Sequence, residues 1–149
     1  MRLRVFGSGS KGNALAIRSG GTLLLLDCGF SCRELEKRMT ACGVCPADVT
    51  AVLFTHDHDD HCKGIATFHK RHPLVPLYAN GNTADAIATL TGVEDGWRIF
   101  ETGNRSRSAT FPSPRSPSRT MPPTRWDISS RTQPRPSSSQ RTWACRPCP

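Results

Sequence analysis

Thr55-His56-Asp57-His58-Asp59-Asp60-His61 gathers three histidines and three aspartates into seven residues, straight after an apolar run over 49–55. Core packing gives no reason for such a cluster. Asp57, Asp59 and Asp60 repel one another unless a cation sits among them. The spacing is HxHxDH at the end of a strand. A loop leaving a strand can turn four such side chains toward one point. Neutral imidazole and carboxylate suit Zn²⁺, at distances near ~2.0–2.2 Å. Mn²⁺ or Fe²⁺ would accept the same donors. On this reading His56 and His58 hold one ion, Asp60 and His61 hold a second, and Asp60 is also the expected catalytic residue. Two ions roughly 3.5–4 Å apart can stabilise both the attacking and the leaving oxygen of a phosphoryl displacement. Asp57 and Asp59 occupy the variable positions and are expected to face solvent. The alternative is a solvated acidic loop with no specific ion.

Outward from this loop the pattern predicts alternating elements. Segments 3–7, 14–18 and 22–27 read as short strands, with turns at Ser8–Asn13 and Gly20-Gly21 between them. Ser31 with Glu34 three residues on reads as a capping box for a helix over Cys32–Ala41, ended by Gly43 in a left-handed cap. Segment 49–55 reads as a strand with a continuous apolar run, as for one buried on both faces. A helix over 63–70 follows the His-rich loop. A strand over 74–79 is marked by Pro76 as an edge or an irregularity. Asn82 caps a helix reaching Thr91, and 97–100 is a last strand. Strands first, then strands alternating with helices, predict a layered α/β (α+β) arrangement. His69 and His72 are expected at the surface of a helix end.

The net charge of +8 suggests a nucleic-acid binder, but its distribution is uneven. Residues 104–149 hold nine Arg, one Asp and no Lys or Glu, so 1–103 is neutral. The same segment holds nine of the twelve prolines and ten serines. Such composition buries too little surface to repay chain entropy. The expected organisation is therefore a globular unit over 1–103 and an Arg/Ser/Pro-rich tail over 104–149. One reading of the tail is a disordered basic arm for nucleic acid or acidic partners. The other is a segment translated out of frame. Shifted codons for 114–128 permit a string ending in HDAADPVGY, and those for 140–144 permit TDLG. Seven cysteines, an odd number, argue against a closed disulfide framework. The CxxC pairs Cys42/Cys45 and Cys145/Cys148 lie about a hundred residues apart, too far for an ordinary four-thiolate zinc site. No apolar stretch is long enough to cross a membrane, and no secretory leader is visible. The expected location is cytoplasmic.

Three stretches carry a family resemblance. Gly7-Ser8-Gly9-Ser10-Lys11-Gly12-Asn13, Leu25-Leu26-Asp27-Cys28-Gly29 and the His-rich motif followed by Gly64 resemble the metallo-β-lactamase superfamily, in its single-domain YycJ-type branch. The resemblance implies an αββα sandwich of two pseudo-symmetric halves, of which 1–103 would be the first. It implies a dinuclear, Zn²⁺-dependent hydrolase (EC 3) acting on nucleic-acid phosphodiesters in an exonuclease-like manner. Asp27 would orient a ligand from behind the metal site, or else simply cap the turn before Gly29. Ser8, Ser10 and Asn13 could offer donors to a phosphate, or form an ordinary glycine-rich turn. The second half of a complete member supplies further ligands, a histidine and an aspartate among them. Residues 104–149 contain no His, whereas the shifted strings restore both residues. The chain is thus expected to be a truncated, impaired member. A thioester or lactone hydrolase, and a non-catalytic nucleic-acid binder working through the tail, are the alternatives.

Overall fold

The computed structural model describes residues 1–101. The tail over 104–149, with Cys145 and Cys148, lies outside the described residues. Strands β1 (Arg2–Gly7), β2 (Ala14–Ser19) and β3 (Thr22–Leu26) form an antiparallel meander. Helix α1 (Cys32–Ala41) then leads through a short 3₁₀ turn, Pro46–Asp48, to β4 (Ala51–Leu53). Helices α2 (Asp59–Cys62) and α3 (Ile65–Arg71) precede β5 (Leu77–Ala79), and α4 (Gly81–Thr91) precedes β6 (Trp97–Ile99). The six strands lie in chain order, and β3 to β6 run parallel. This is the mixed α/β arrangement that the element pattern predicts.

Parallel neighbours taken in chain order, each joined by a right-handed crossover, carry their helices on one face of the sheet. The strand burial follows. Leu23 and Leu25 of β3 are fully buried, while Leu24 and Leu26 on the other face are only partly covered. Val52 and Leu77 continue the buried row, meeting Leu35 and Met39 of α1, Phe68 of α3 and Ile87 of α4 in one core. Each such side chain contributes about 1.5–3 kcal/mol on burial.

The local signals differ in how they are used. Gly43 takes φ 70° after α1, and its N–H donates to Thr40 O at 2.9 Å while Val44 N–H donates to Met39 O at 2.8 Å. That pair of bonds is a Schellman cap, closed by buried Met39 and Val44. The expected capping box is absent. Ser31 makes no side-chain cap bond, and Glu34 pairs with Arg38 at 2.7 Å instead. The cap of α4 is Asn80 rather than Asn82, its side chain accepting from Thr83 N–H at 2.9 Å. The helix expected over 63–70 is α3, Ile65–Arg71, and a separate short helix, α2, lies within the stretch expected as a loop; Gly64 stands between them, packed against the Phe30 carbonyl with no room for a Cβ. Pro76 lies just before β5, an interior strand, and its carbonyl accepts from Val52 N–H at 3.0 Å. His69 is buried, 7% exposed, with Nε2 3.0 Å from Asp95 Oδ1, and is not the surface residue expected. Among the described residues no helix is long and apolar enough to cross a membrane.

Candidate metal centre

The His-rich loop leaves the C-terminal end of β4, beside the C-terminal end of β3. Asp27 closes β3, donating its N–H to Leu53 O at 2.9 Å. It is the one non-glycine described residue with a positive φ, 59°. Aspartate tolerates this conformation better than most residues, and here it points a buried carboxylate at the loop. Three donors meet that carboxylate. Thr55 N–H gives 2.8 Å to Oδ1, Thr55 Oγ1 gives 2.9 Å to Oδ2, and His61 Nδ1 gives 2.8 Å to Oδ2.

This network assigns the tautomers. An ionised carboxylate only accepts, so Thr55 Oγ1 and His61 Nδ1 must donate to it. Thr55 Oγ1 has then spent its proton, and at 2.9 Å from His56 Nδ1 it accepts from that ring. In their neutral forms His56 and His61 thus each carry hydrogen on Nδ1 and leave Nε2 bare. This is the arrangement by which a hydrogen-bonded partner prepares an imidazole to bind a metal ion. The rings are close. The His56 and His61 centroids lie 3.8 Å apart, and His58 stands edge-on to His56 at 4.7 Å.

Asp60, the second residue of α2, is held from the opposite side. Its Oδ2 accepts from Asn13 Nδ2 at 2.8 Å and lies 3.7 Å from His61 Nε2. Two donors on one tetrahedral ion, each at ~2.0–2.2 Å, stand roughly 3.4 Å apart. The Asp60/His61 pair is near that separation. Even so, among the described residues no three His, Cys, Asp or Glu side chains already surround a common point as ligands. The four expected donors come together as a patch of pairs rather than a closed shell. In chemistry the set fits a divalent cation: bare imidazole nitrogens, a half-buried carboxylate, and surplus negative charge.

That charge is felt nearby. Cys62, adjacent to His61, has its thiol pushed up to about 11, by burial first and then by Asp59, Asp57, Asp27 and Asp60. Cys28 shifts the same way, mainly through burial. Of the variable positions, Asp59 is exposed and lies 3.8 Å from Lys63 Nζ, while Asp57 is half-buried.

The glycine-rich loop over 7–13 closes on the same patch. Ser8 and Ser10 are exposed. Asn13 spends its amide on Asp60 and Gly9. Thr55 and the Asn13–Asp60 contact are features that sequence reading passed over. Thr55 was visible as the residue before the first histidine. Asn13 and Asp60 lie 47 positions apart, and nothing local links them.

The family model of the metallo-beta-lactamase superfamily matches residues 7–123. An exodeoxyribonuclease YycJ of Bacillus anthracis is 35% identical over 92 residues, 62% of this chain and 34% of its own length. An exodeoxyribonuclease WalJ of Streptococcus pneumoniae is 31% identical over 103 residues, 66% of this chain and 38% of its own length. A ribonuclease Z of a Mycobacterium species is 31% identical over 99 residues, 59% of this chain and 34% of its own. The chain thus spans about a third of the length of the curated relatives it matches. Among solved structures, a B3 metallo-beta-lactamase with an active-site glutamic acid superposes with TM-score 0.56 at 18% identity, covering 68% of this chain and 44% of that one. SMB-1, another metallo-beta-lactamase, gives 0.54 at 22% identity, covering 67% and 44%. The metal-loop pattern, the mixed sheet that presents it and the family match over most of its length lead to one conclusion: this chain belongs to the metallo-beta-lactamase superfamily.

Proposed function

We propose that this chain carries the first half of the metal centre of a hydrolase acting on nucleic-acid phosphodiesters, in an exonuclease-like manner. The observation behind the proposal is the Asp27–Thr55 network, which engages Nδ1 of both His56 and His61 and sets His61 Nε2 3.7 Å from Asp60. His56 and His58 would hold one divalent cation, and Asp60 and His61 a second, with Zn²⁺ the first choice and Mn²⁺ or Fe²⁺ compatible. A cation bound there supplies Lewis acidity toward a phosphoryl oxygen and acidifies water. The protein groups do the rest. Asp27 fixes the orientation of His61, Thr55 fixes that of His56, and Asn13 restrains Asp60. The nuclease names of relatives such as YycJ, WalJ and ribonuclease Z favour a phosphodiester over an acyl substrate.

Within the described residues each ion would have two side-chain donors, and weak affinity with low turnover is the expected outcome. Titration of the full chain with Zn²⁺ and with Mn²⁺ by calorimetry tests this, against His56→Ala/His58→Ala. Loss of one of two binding events in the double variant is expected, and equal binding in both proteins would remove the metal-centre reading. Assays on DNA, RNA, a thioester and a lactone then separate the substrate classes. Family-like rates from this chain would overturn the prediction of impairment.

The charge distribution favours one further reading, a nucleic-acid binder working through 104–149. Steeply salt-dependent DNA binding, lost on deleting that segment, would support it.

A further inference from the structure

We propose that Asn13 is a positioning residue for Asp60, a role distinct from contact with a substrate phosphate; the inference rests on the metal-centre reading above. Two bonds of Asn13 close the glycine-rich loop on Gly9, and two more tie that loop to the metal loop. Asn13 Oδ1 accepts from Gly9 N–H at 2.9 Å, and Nδ2 donates to Gly9 O at 3.1 Å and to Asp60 Oδ2 at 2.8 Å. Its backbone N–H donates to Asp60 O at 2.7 Å. The amide can face only one way. Gly9 N–H must donate, and the Gly9 carbonyl and the Asp60 carboxylate must accept.

The polar atoms of Asn13 are therefore committed, which leaves none for a substrate phosphate. Their effect falls on Asp60. Its carboxylate is about one-third exposed, at 32%, and carries the same charge as Asp57 and Asp59 on the same loop. Unrestrained, it would swing toward solvent. The Asn13 amide holds Oδ2 3.7 Å from His61 Nε2, while Asp27 grips His61 from its other ring nitrogen at 2.8 Å. The Asp60/His61 pair is thus clamped from two strand ends at once. His56 and His58 make no contact with Asn13 among the described hydrogen bonds, so the effect belongs to one pair of donors.

Two substitutions separate this role from a purely structural one. Asn13→Ala removes every side-chain bond. Asn13→Asp keeps an oxygen to accept from Gly9 N–H, and so keeps the turn, but sets a second carboxylate against Asp60. The experiment titrates Zn²⁺ into the full chain with ¹⁵N-labelled histidine, reading each ring separately, with circular dichroism to monitor the fold. In both variants the His61 midpoint is expected to rise about 10–100-fold, with the His56 and His58 midpoints little changed. An unchanged or lower His61 midpoint in the folded variants overturns the proposal. So does an equal rise at all three rings, or loss of fold in both variants, since either makes Asn13 a general structural residue. Wild-type rings that never respond to Zn²⁺ would instead sink the metal-centre reading, and this inference with it.

Discussion

Thr55 is the smallest part of the site with two tasks. Its hydroxyl donates to Asp27 and accepts from His56 Nδ1, so one oxygen links the buried carboxylate to a second ring. Thr55→Val keeps the β-branched shape and the backbone bond to Asp27 but removes the hydroxyl. His56 then has no fixed tautomer. Zn²⁺ affinity read at His56 is expected to fall by about tenfold, and Thr55→Ser to restore it. Melting temperature should hardly move, because the residue is exposed. If Thr55→Val binds Zn²⁺ as tightly as wild type, the tautomer argument is wrong. Gly29 is the complementary case. A methyl there would overlap the Asp60 carbonyl and stand 2.6 Å from Asn13 N, where three backbone segments meet. Gly29→Ala is expected to cost about 3 kcal/mol or more, since none of those neighbours is a flexible side-chain end. Chemical denaturation followed by circular dichroism measures it, and a loss under about 1 kcal/mol would show that the loops can part.

Among the elements, α1 shows which of its residues report on the fold. Cys32, its first residue, is buried and donates to Glu36 Oε1 at 3.3 Å. Burial, followed by the bond and charge of Glu36, raises its thiol from 9.0 to about 11. The sign follows from linkage. The folded state holds the proton more tightly than the unfolded chain, so this contribution is full below pH 9.0 and is lost as pH rises through about 11. Cys32→Ser keeps a donor toward Glu36 but does not titrate in that range. Its stability should fall less steeply between pH 9 and 11 than that of wild type, as measured by urea midpoints across the interval. Parallel slopes would mean that Cys32 is not buried in solution. The same helix marks the boundary of local reading. Its span and its Gly43 cap followed from neighbouring residues. The Ser31–Glu34 box did not form, because Arg38 competes for Glu34 from one turn further on. At α4 two asparagines stood two positions apart, and the choice of Asn80 over Asn82 rested on backbone geometry that composition does not carry.

On the scale of the whole molecule, the layered α/β arrangement was readable because strands first, and then strands alternating with helices, leave few architectures. The candidate ligands were readable because four of them lie within six residues. What joins the site together was not: Asp27 to His61 and Asn13 to Asp60 span 34 and 47 positions. The same topology puts the helices on one face of the sheet and, among the described residues, leaves the other uncovered. Leu3 pairs with Ile17 and Val5 with Leu15, so these four share that face, and Leu3 and Val5 are each 53% exposed on the edge strand. Arg2 and Arg4 place charge on the same strand, a common defence against edge-to-edge pairing, but the apolar row remains. Leu3→Lys with Val5→Lys removes two of its members at positions that lose little burial. Stability should stay within about 0.5 kcal/mol of wild type, while the monomeric fraction at high protein concentration rises, as followed by size exclusion with light scattering. A monomeric fraction that does not change would mean that the row is already covered in solution, and that the open face is not what limits this chain's solubility.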